Sequence, residues 1–537
     1  MKLPELSAAA APDFTDAATC SAWLEHVPLA NVGAAQQQLL DELKTFNAFP
    51  ASAVNRLAVM EAVREAVSFV QIEQAKRFTN RALPMAAAEA AAFEATIELW
   101  EQMRLGYLRC LDAAVHSDPG MHAQAALLAQ RTLAYSGLKM FHHYRAYREV
   151  APAEWRALNE AFAHALHLEV AEEPVKDFLN RDIHDTSPRI AYARAVLMGL
   201  ANPNELSQRQ LTFVAYLLER WASKLELAAA PVDEGPGVPP LVADLAAERM
   251  PERRESPPGG ATVRVLDSRK LAKSLRNRVA LLRKGESPAK LALGEDCVQP
   301  SCEQLLVYLY RQWCQAKPAR AGERRAGTLE ALACNDIEAV WHYISGKPFR
   351  QPGATATELT KKQRDEIATF GRVSTRDEED YSDAHGFVLE HWNIHDETAQ
   401  GLRMVRPAGA PGRRYSLGQL VGVKPADAKH YFLGQVRWIM SAKNGDLQAG
   451  IKLMPGNPNP VSVRGTGLNA TPDRYAPGLA LGAVQALNAP PALVLPSGWF
   501  KPKRVIEVFT QGSVRVRLLE VLDRGTDFER VTYENAA

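Results

Sequence analysis

The chain changes its hydrophobic period once, and that change divides what it can fold into. Over residues 21–227, apolar side chains recur at three- and four-residue steps: Leu57, Met60, Val63, Val67 and Val70 make one stripe, and Phe93, Ile97, Trp100 and Tyr107 another. Such spacing marks helices that each bury one face. In the last third the period falls to two. Leu447, Ala449, Ile451 and Leu453 share one face of an extended segment, while Val514, Val516 and Leu518 alternate with Arg515, Arg517 and Leu519. Further strands are expected at 415–423, 431–440, 505–509 and 528–533, between turns at Asn444-Gly445, Gln511-Gly512 and Arg524-Gly525. So many short strands predict a closed barrel, because closure leaves no unpaired edge.

The expected class is therefore multidomain α plus β. An all-α domain over 1–230 reads as a bundle or irregular array of helical hairpins, broken at Phe49-Pro50, Leu83-Pro84 and Asn202-Pro203, with no strict repeat. Pro231, Gly235-Pro-Gly-Val-Pro-Pro240 and Pro257-Pro-Gly-Gly260 mark 231–260 as a linker, or as a structured crossing if 241–245 pairs with 261–266. A small helical middle domain follows over 261–350. It opens at Asp267 or Ser268 with a helix whose apolar side is Leu271, Leu275, Val279 and Leu282. The antiparallel barrel takes 361–537, its last strands either completing it or forming a second lobe.

Charge and composition exclude several functions. Against 62 acidic residues stand 63 basic ones, a net charge of +1, so no global field recruits nucleic acid or anionic membrane. One helix carries a basic face of Arg269, Lys270, Lys273, Arg276, Arg278, Arg283 and Lys284, a pattern most often simply solvated. Nucleic acid is accordingly the least favoured partner. There is no apolar run of the ~18 residues that a membrane span needs, and the N-terminus does not read as a signal peptide, which points to the cytoplasm. The six cysteines are scattered and read as free thiols; Cys297-x4-Cys302 has no second pair to complete a metal site, nor have His164 and His167. No nucleophile elbow, phosphate-cradling loop or zinc-protease motif is present in the sequence, and no enzyme, metal or cofactor is expected.

One constellation agrees on a single chemistry. Phe370-Gly-Arg-Val-Ser-Thr-Arg376 places Arg372 and Arg376 four apart, and Asp396-x-Thr398-x-x-Gly401 follows at a strand end. With the later Gly434-Gln-Val-Arg-Trp438 and Gly450-Ile-Lys-Leu453 strands, residues 361–453 resemble the PilZ domain, a small bacterial β-barrel that binds cyclic di-GMP. The resemblance implies that Arg372 and Arg376 contact ligand phosphate and guanine, and that Asp396, Thr398 and Gly401 form the strand-side half of the site. Physical chemistry agrees: arginine's planar fork meets both phosphates and guanine edges bidentately. Asp and Thr at alternate strand positions face the same way, and glycine admits close backbone approach. Arg320-Ala-Gly-Glu-Arg324 has the same spacing but no such strand motif after it. Thr398 stands where Ser is more usual and keeps the hydroxyl, whereas Asp377-Glu-Glu-Asp380 is unfavourable beside an anionic ligand unless turned away. The implied function is a cyclic di-GMP effector that couples ligand binding to protein partners of its helical domains, with motility, pili, exopolysaccharide or virulence as implied outputs. The alternatives are a ligand-independent scaffold with a degenerate barrel and a nucleic-acid-binding regulator.

Overall fold

A computed structural model describes residues 3–228, 230, 232, 235, 238–256, 258–316, 325–352, 377–466 and 474–536. The chain divides into two compact units, Met1–Arg81 with Met85–Ala319, and Ala82–Pro84 with Arg320–Ala537.

The first unit opens with α1 (Ala17–Leu24), α2 (Val32–Ala48), α3 (Ala53–Ala75), α4 (Ala87–Val115), α5 (Pro119–His122), α6 (Ala125–Arg145) and α7 (Pro152–His167). A short hairpin, β1 (Val175–Lys176) and β2 (Asp185–Thr186), precedes α8 (Pro188–Leu200) and α9 (Gln208–Trp221). Local chemistry sets many of these starts. Asp16, Asn31, Ser52, Ser187 and Ser207 each accept a hydrogen bond from the amide three residues on, satisfying a donor that the helix leaves open.

Residues read as a linker and a separate middle domain join this same core. β3 (Glu226–Ala228), β4 (Leu241–Asp244), β5 (Glu252–Arg253) and β6 (Val263–Asp267) form an antiparallel sheet in the order β3-β6-β4-β5, a structured crossing rather than a tether. After it, α10 (Arg269–Arg283) buries Leu271, Leu275, Val279 and Leu282 as its periodicity predicts. With Leu305, Leu306, Leu309 and Trp313 of α11 (Ser301–Cys314), these residues pack into one cluster with Leu197, Leu217 and Trp221. The Trp313 indole donates to the Leu197 carbonyl at 2.8 Å. The physical reason is that two amphipathic helices cannot enclose a core alone and must cover their stripes against a larger one. Cys297 and Cys302, expected as free thiols, are joined in a disulfide, whereas Cys20, Cys110, Cys314 and Cys334 are free and buried.

The β1–β2 hairpin is tied to the helices by buried charge. The Asp177 carboxylate lies 2.6 Å from Arg64 Nη2 and 3.2 Å from Arg131 Nη1; Arg131 also meets Glu61 at 3.0 Å. Burial alone would raise the Asp177 carboxyl, but the two guanidinium groups hold it below the usual carboxylate range. Removing Asp177 leaves two buried guanidinium groups with the single carboxylate of Glu61 between them. Asp177→Ala is expected to destabilise the protein by about 3–5 kcal/mol in chemical denaturation. Lys76→Ala, which breaks an exposed pair with Glu73, is expected to change stability by less than about 1 kcal/mol.

The second unit holds two closed barrels. β7 (Arg325–Asn335), α12 (Ile337–Ser345), α13 (Asp377–His385), β8 (Glu390–Thr398), β9 (Gly401–Arg406), β10 (Leu420–Pro425), β11 (Phe432–Ser441) and β12 (Leu447–Leu453) come first in the chain. Their strands close in the order β10-β11-β12-β9-β8-β7. β7 falls where the sequence reads as helical, yet it pairs with both β8 and β10. The strands after residue 455 do not complete this barrel. β13 (Pro458–Gly465), β14 (Ala476–Leu481), β15 (Ala492–Pro496), β16 (Val505–Phe509), β17 (Ser513–Arg524) and β18 (Phe528–Asn535) close a second one, in the order β13-β14-β15-β18-β17-β16.

Since neither barrel has an edge to share, side chains and loop backbone join them. Ile337 and Val340 of α12 pack with Leu420 and Leu433 of the first barrel and Leu479, Leu481, Val494 and Phe528 of the second. The Trp341 indole donates to the Val461 carbonyl at 3.0 Å. Beside this wedge the Leu420 amide donates to Asp527 Oδ1 at 2.9 Å, and the Thr526 amide to the Gly418 carbonyl at 3.1 Å. Burial pushes the Asp527 carboxyl up to about 6. A raised folded-state value means that the native protein binds this proton more tightly than the unfolded chain. The contribution of this group to stability therefore falls as pH rises from about 4 to about 6 and is flat beyond. Thermal melts across pH 4–7 are expected to show the Tm of the native protein falling relative to that of Asp527→Asn between pH 4 and pH 6.

Candidate ligand-binding site

The site proposed from sequence maps onto the β8–β9 hairpin of the first barrel. Its turn is two residues long, so Thr398 faces Gly401 and Asp396 faces Arg403 across the ladder. In regular pleating Asp396 would share a face with Ile394, which is buried inside the barrel. A bulge between Ile394 and Asp396 breaks that alternation and turns Asp396 to the outer face, with Thr398 two residues on beside it.

Each of these three residues has a defined local role. The Asp396 side chain is 14% exposed, and its Oδ2 lies 3.9 Å from Arg403 Nη1. The Thr398 hydroxyl bonds within the turn, donating to the Gly401 carbonyl at 3.2 Å and accepting from the Gln400 amide at 3.3 Å. One hydroxyl lone pair is left for a ligand donor. A Cβ on Gly401 would stand 2.8 Å from the Ile451 carbonyl oxygen, so glycine is what lets β9 lie against β12 here. Arg372 and Arg376 lie outside the described residues.

The surface around the hairpin holds groups that the sequence motif does not contain. Arg403 Nη2 donates to Gln448 Oε1 at 3.1 Å. Gly450 pairs with Arg403 on one side and Trp438 on the other. The Trp438 indole occupies the space above Gly450, where a Cβ would come within 1.9 Å of its ring nitrogen. A second bulge, between Val436 and Trp438, turns this indole outward as the first turns Asp396. The outer face thus carries an acceptor, a guanidinium, an amide and a half-buried aromatic ring. That set suits a planar, hydrogen-bonding, anionic molecule. The register of a two-residue hairpin would have found Arg403, since it must stand opposite Asp396.

The segment carrying the two sequence-predicted arginines is flanked by fixed points. Before it, the Gln351 side chain donates to the Tyr475 carbonyl at 3.0 Å and accepts from the Tyr475 amide at 2.7 Å. After it, α13 begins at Asp377, and Ser382 Oγ lies 3.0 Å from Nε2 of the buried His342 on α12. His342 Nδ1 is 3.0 Å from the Lys347 carbonyl. A carbonyl can only accept, so in the neutral ring the proton sits on Nδ1, which leaves Nε2 to accept from the serine hydroxyl.

Other sequence candidates are engaged elsewhere. On the basic helix α10, Arg269 pairs with Asp267, Lys270 with Glu226 and Arg283 with Glu303, which neutralises much of that face. Among the described residues no three His, Cys, Asp or Glu side chains gather as a metal site requires, and no helix is long and apolar enough to cross a membrane. Gly401→Ala is expected to force β9 from β12 and cost about 1–3 kcal/mol in denaturant titration.

Residues 18–232 match the family model described as the N-terminal domain of the cyclic-di-GMP receptor FimW, and residues 461–536 match the FimW C-terminal beta-barrel domain. The first match lies within the helical unit and the second spans the second barrel. Along 556 aligned residues, covering 96% of this chain and 90% of the relative, the chain is 22% identical to the cyclic-di-GMP receptor FimW of Pseudomonas aeruginosa. The hairpin site lies between the two matched segments, in the first barrel.

Proposed function

We propose that this chain is a cytoplasmic cyclic di-GMP receptor of the FimW kind, acting by binding rather than catalysis, with a PilZ-like site on its first barrel. The observation that carries this reading is the similarity, over 96% of the chain, to a protein named as a cyclic-di-GMP receptor. The outward-turned Asp396 beside Arg403 supports the placement, since a guanine edge offers donors to a carboxylate and acceptors to a guanidinium. Arg372 and Arg376 supply the remaining charge, each fork taking a phosphate or a guanine edge. Thr398 and Gly401 shape the hairpin floor.

Output follows from the anchors of the arginine-bearing segment. Ligand bridges Arg372 and Arg376 to the hairpin, and the chain runs directly on into α13, which bonds His342 of α12. Because α12 packs against both barrels, a change there reaches their seam. Protein partners take the signal through the helical unit. The coupling can be no larger than the ligand's difference in affinity between the two arrangements.

Calorimetric titration with cyclic di-GMP tests the reading. Arg372→Ala and Arg376→Ala are each expected to abolish measurable binding, and Asp396→Ala to weaken it at least about tenfold, the loss of one charge-assisted hydrogen bond. Unchanged affinity in both arginine variants would sink the proposal. The acidic run Asp377-Glu-Glu-Asp380 motivates the second reading, a ligand-independent scaffold. A native protein that gives neither heat nor a Tm shift with excess cyclic di-GMP would favour it.

A further inference from the structure

At one rim of the second barrel, the turn between β15 and β16 reads Trp499-Phe-Lys-Pro-Lys-Arg504. Its shape is held in place. The Phe500 amide donates to Glu529 Oε2 at 2.7 Å, and Arg504 Nη1 donates to the Trp499 carbonyl at 2.8 Å, its guanidinium 5.5 Å from the Trp499 ring centre. The Lys503 amide donates to the Leu518 carbonyl at 3.1 Å, and the Leu518 amide to the Arg504 carbonyl at 2.9 Å. Lys503 adopts φ +63°, a left-handed conformation unusual for a lysine and kept by these bonds.

The contents of the turn differ from the surface around it. Lys501, Pro502 and Lys503 are exposed, and Trp499, Phe500 and Arg504 are half-buried, the two rings packing one side on the barrel's core and leaving the other at the surface. Leu519, beside the strand residue that holds Lys503, is 44% exposed and is followed by the exposed Glu520. Three arginines nearby have acidic partners: Arg517 has Glu534, Arg524 has Glu529 and Arg530 has Asp523. Among the described residues, Lys501, Lys503 and Arg504 take part in no ion pair.

Three uncompensated cations on a shaped turn, interleaved with an indole, a phenyl ring and an exposed leucine, complement a surface that is anionic outside and apolar beneath. We infer that this turn docks the second barrel onto an anionic lipid bilayer, its lysines at the headgroup phosphates and Trp499 and Leu519 at the acyl boundary. Aromatic rings and lysine stems favour that interface, and cations add attraction to acidic lipids. Duplex nucleic acid fits less well, because the apolar groups would have no place on a phosphate backbone. The inference does not depend on the cyclic di-GMP site.

Co-sedimentation of the full chain with phosphatidylglycerol-containing vesicles, against pure phosphatidylcholine vesicles, tests it. Partitioning is expected on the anionic vesicles only and is expected to fall at high salt. Each of Lys501→Ala and Lys503→Ala should lower the partition coefficient about fivefold, the factor equivalent to one juxtamembrane cation. Trp499→Ala should lower it while leaving the salt dependence intact. The control Lys273→Ala with Lys284→Ala removes two exposed charges from α10 and its C-cap and should leave partitioning unchanged. Equal loss in that control, no preference for anionic vesicles, or binding to duplex DNA or RNA that Lys501→Ala weakens equally would each overturn the inference.

Discussion

Everything the candidate site requires follows from one strand closing one ring. Without β7, the five strands β8 to β12 would form an open sheet with β8 and β10 as bare edges. β7 pairs with both at once and removes them. Closure creates an inside and an outside. Trp392, Ile394, Met404, Ala449 and Ile451 fill the interior, and residues of opposite phase are left on a fixed outer wall. A hairpin in such a wall has little freedom to slip, since a one-residue shift would expose every buried side chain.

Regularity was legible in the sequence; departures from regularity were not. The stripe Leu271, Leu275, Val279 and Leu282 is buried as its spacing requires, and the alternation at 447–453 runs along a barrel strand with Leu447, Ala449 and Ile451 inside. β7 escaped because Leu329-Glu-Ala-Leu-Ala333 consists of good helix formers. Pairing with two strands distant in sequence overrides that local preference. The choice between one completed barrel and a second lobe stayed open in the sequence for another reason. Turn residues announce where strands end, not which strands meet, and the turn signals of the two barrels are alike.

The site divides along the same line. That Asp396 and Thr398 share a face followed from their spacing alone. That this face is the outer one follows from a bulge, which no periodicity announces. Arg403 follows from the hairpin's own register, whereas Trp438 joins the same row of the wall only once β9, β12 and β11 are aligned, so no local motif contains it. The Thr398 hydroxyl looked like a ligand group and is partly spent on its own turn.

The closed topology also limits how this protein can be recognised. Many domains capture partners by lending a sheet edge, so that backbone hydrogen bonds supply affinity for almost any extended peptide. Neither barrel has an edge to lend. A partner of these barrels must be met by side chains and loops, where each contact is encoded by a particular residue. Recognition of that kind can drift or sharpen through point substitutions on the wall while the ladder beneath stays untouched. Two relatives could therefore keep one architecture and answer to different partners.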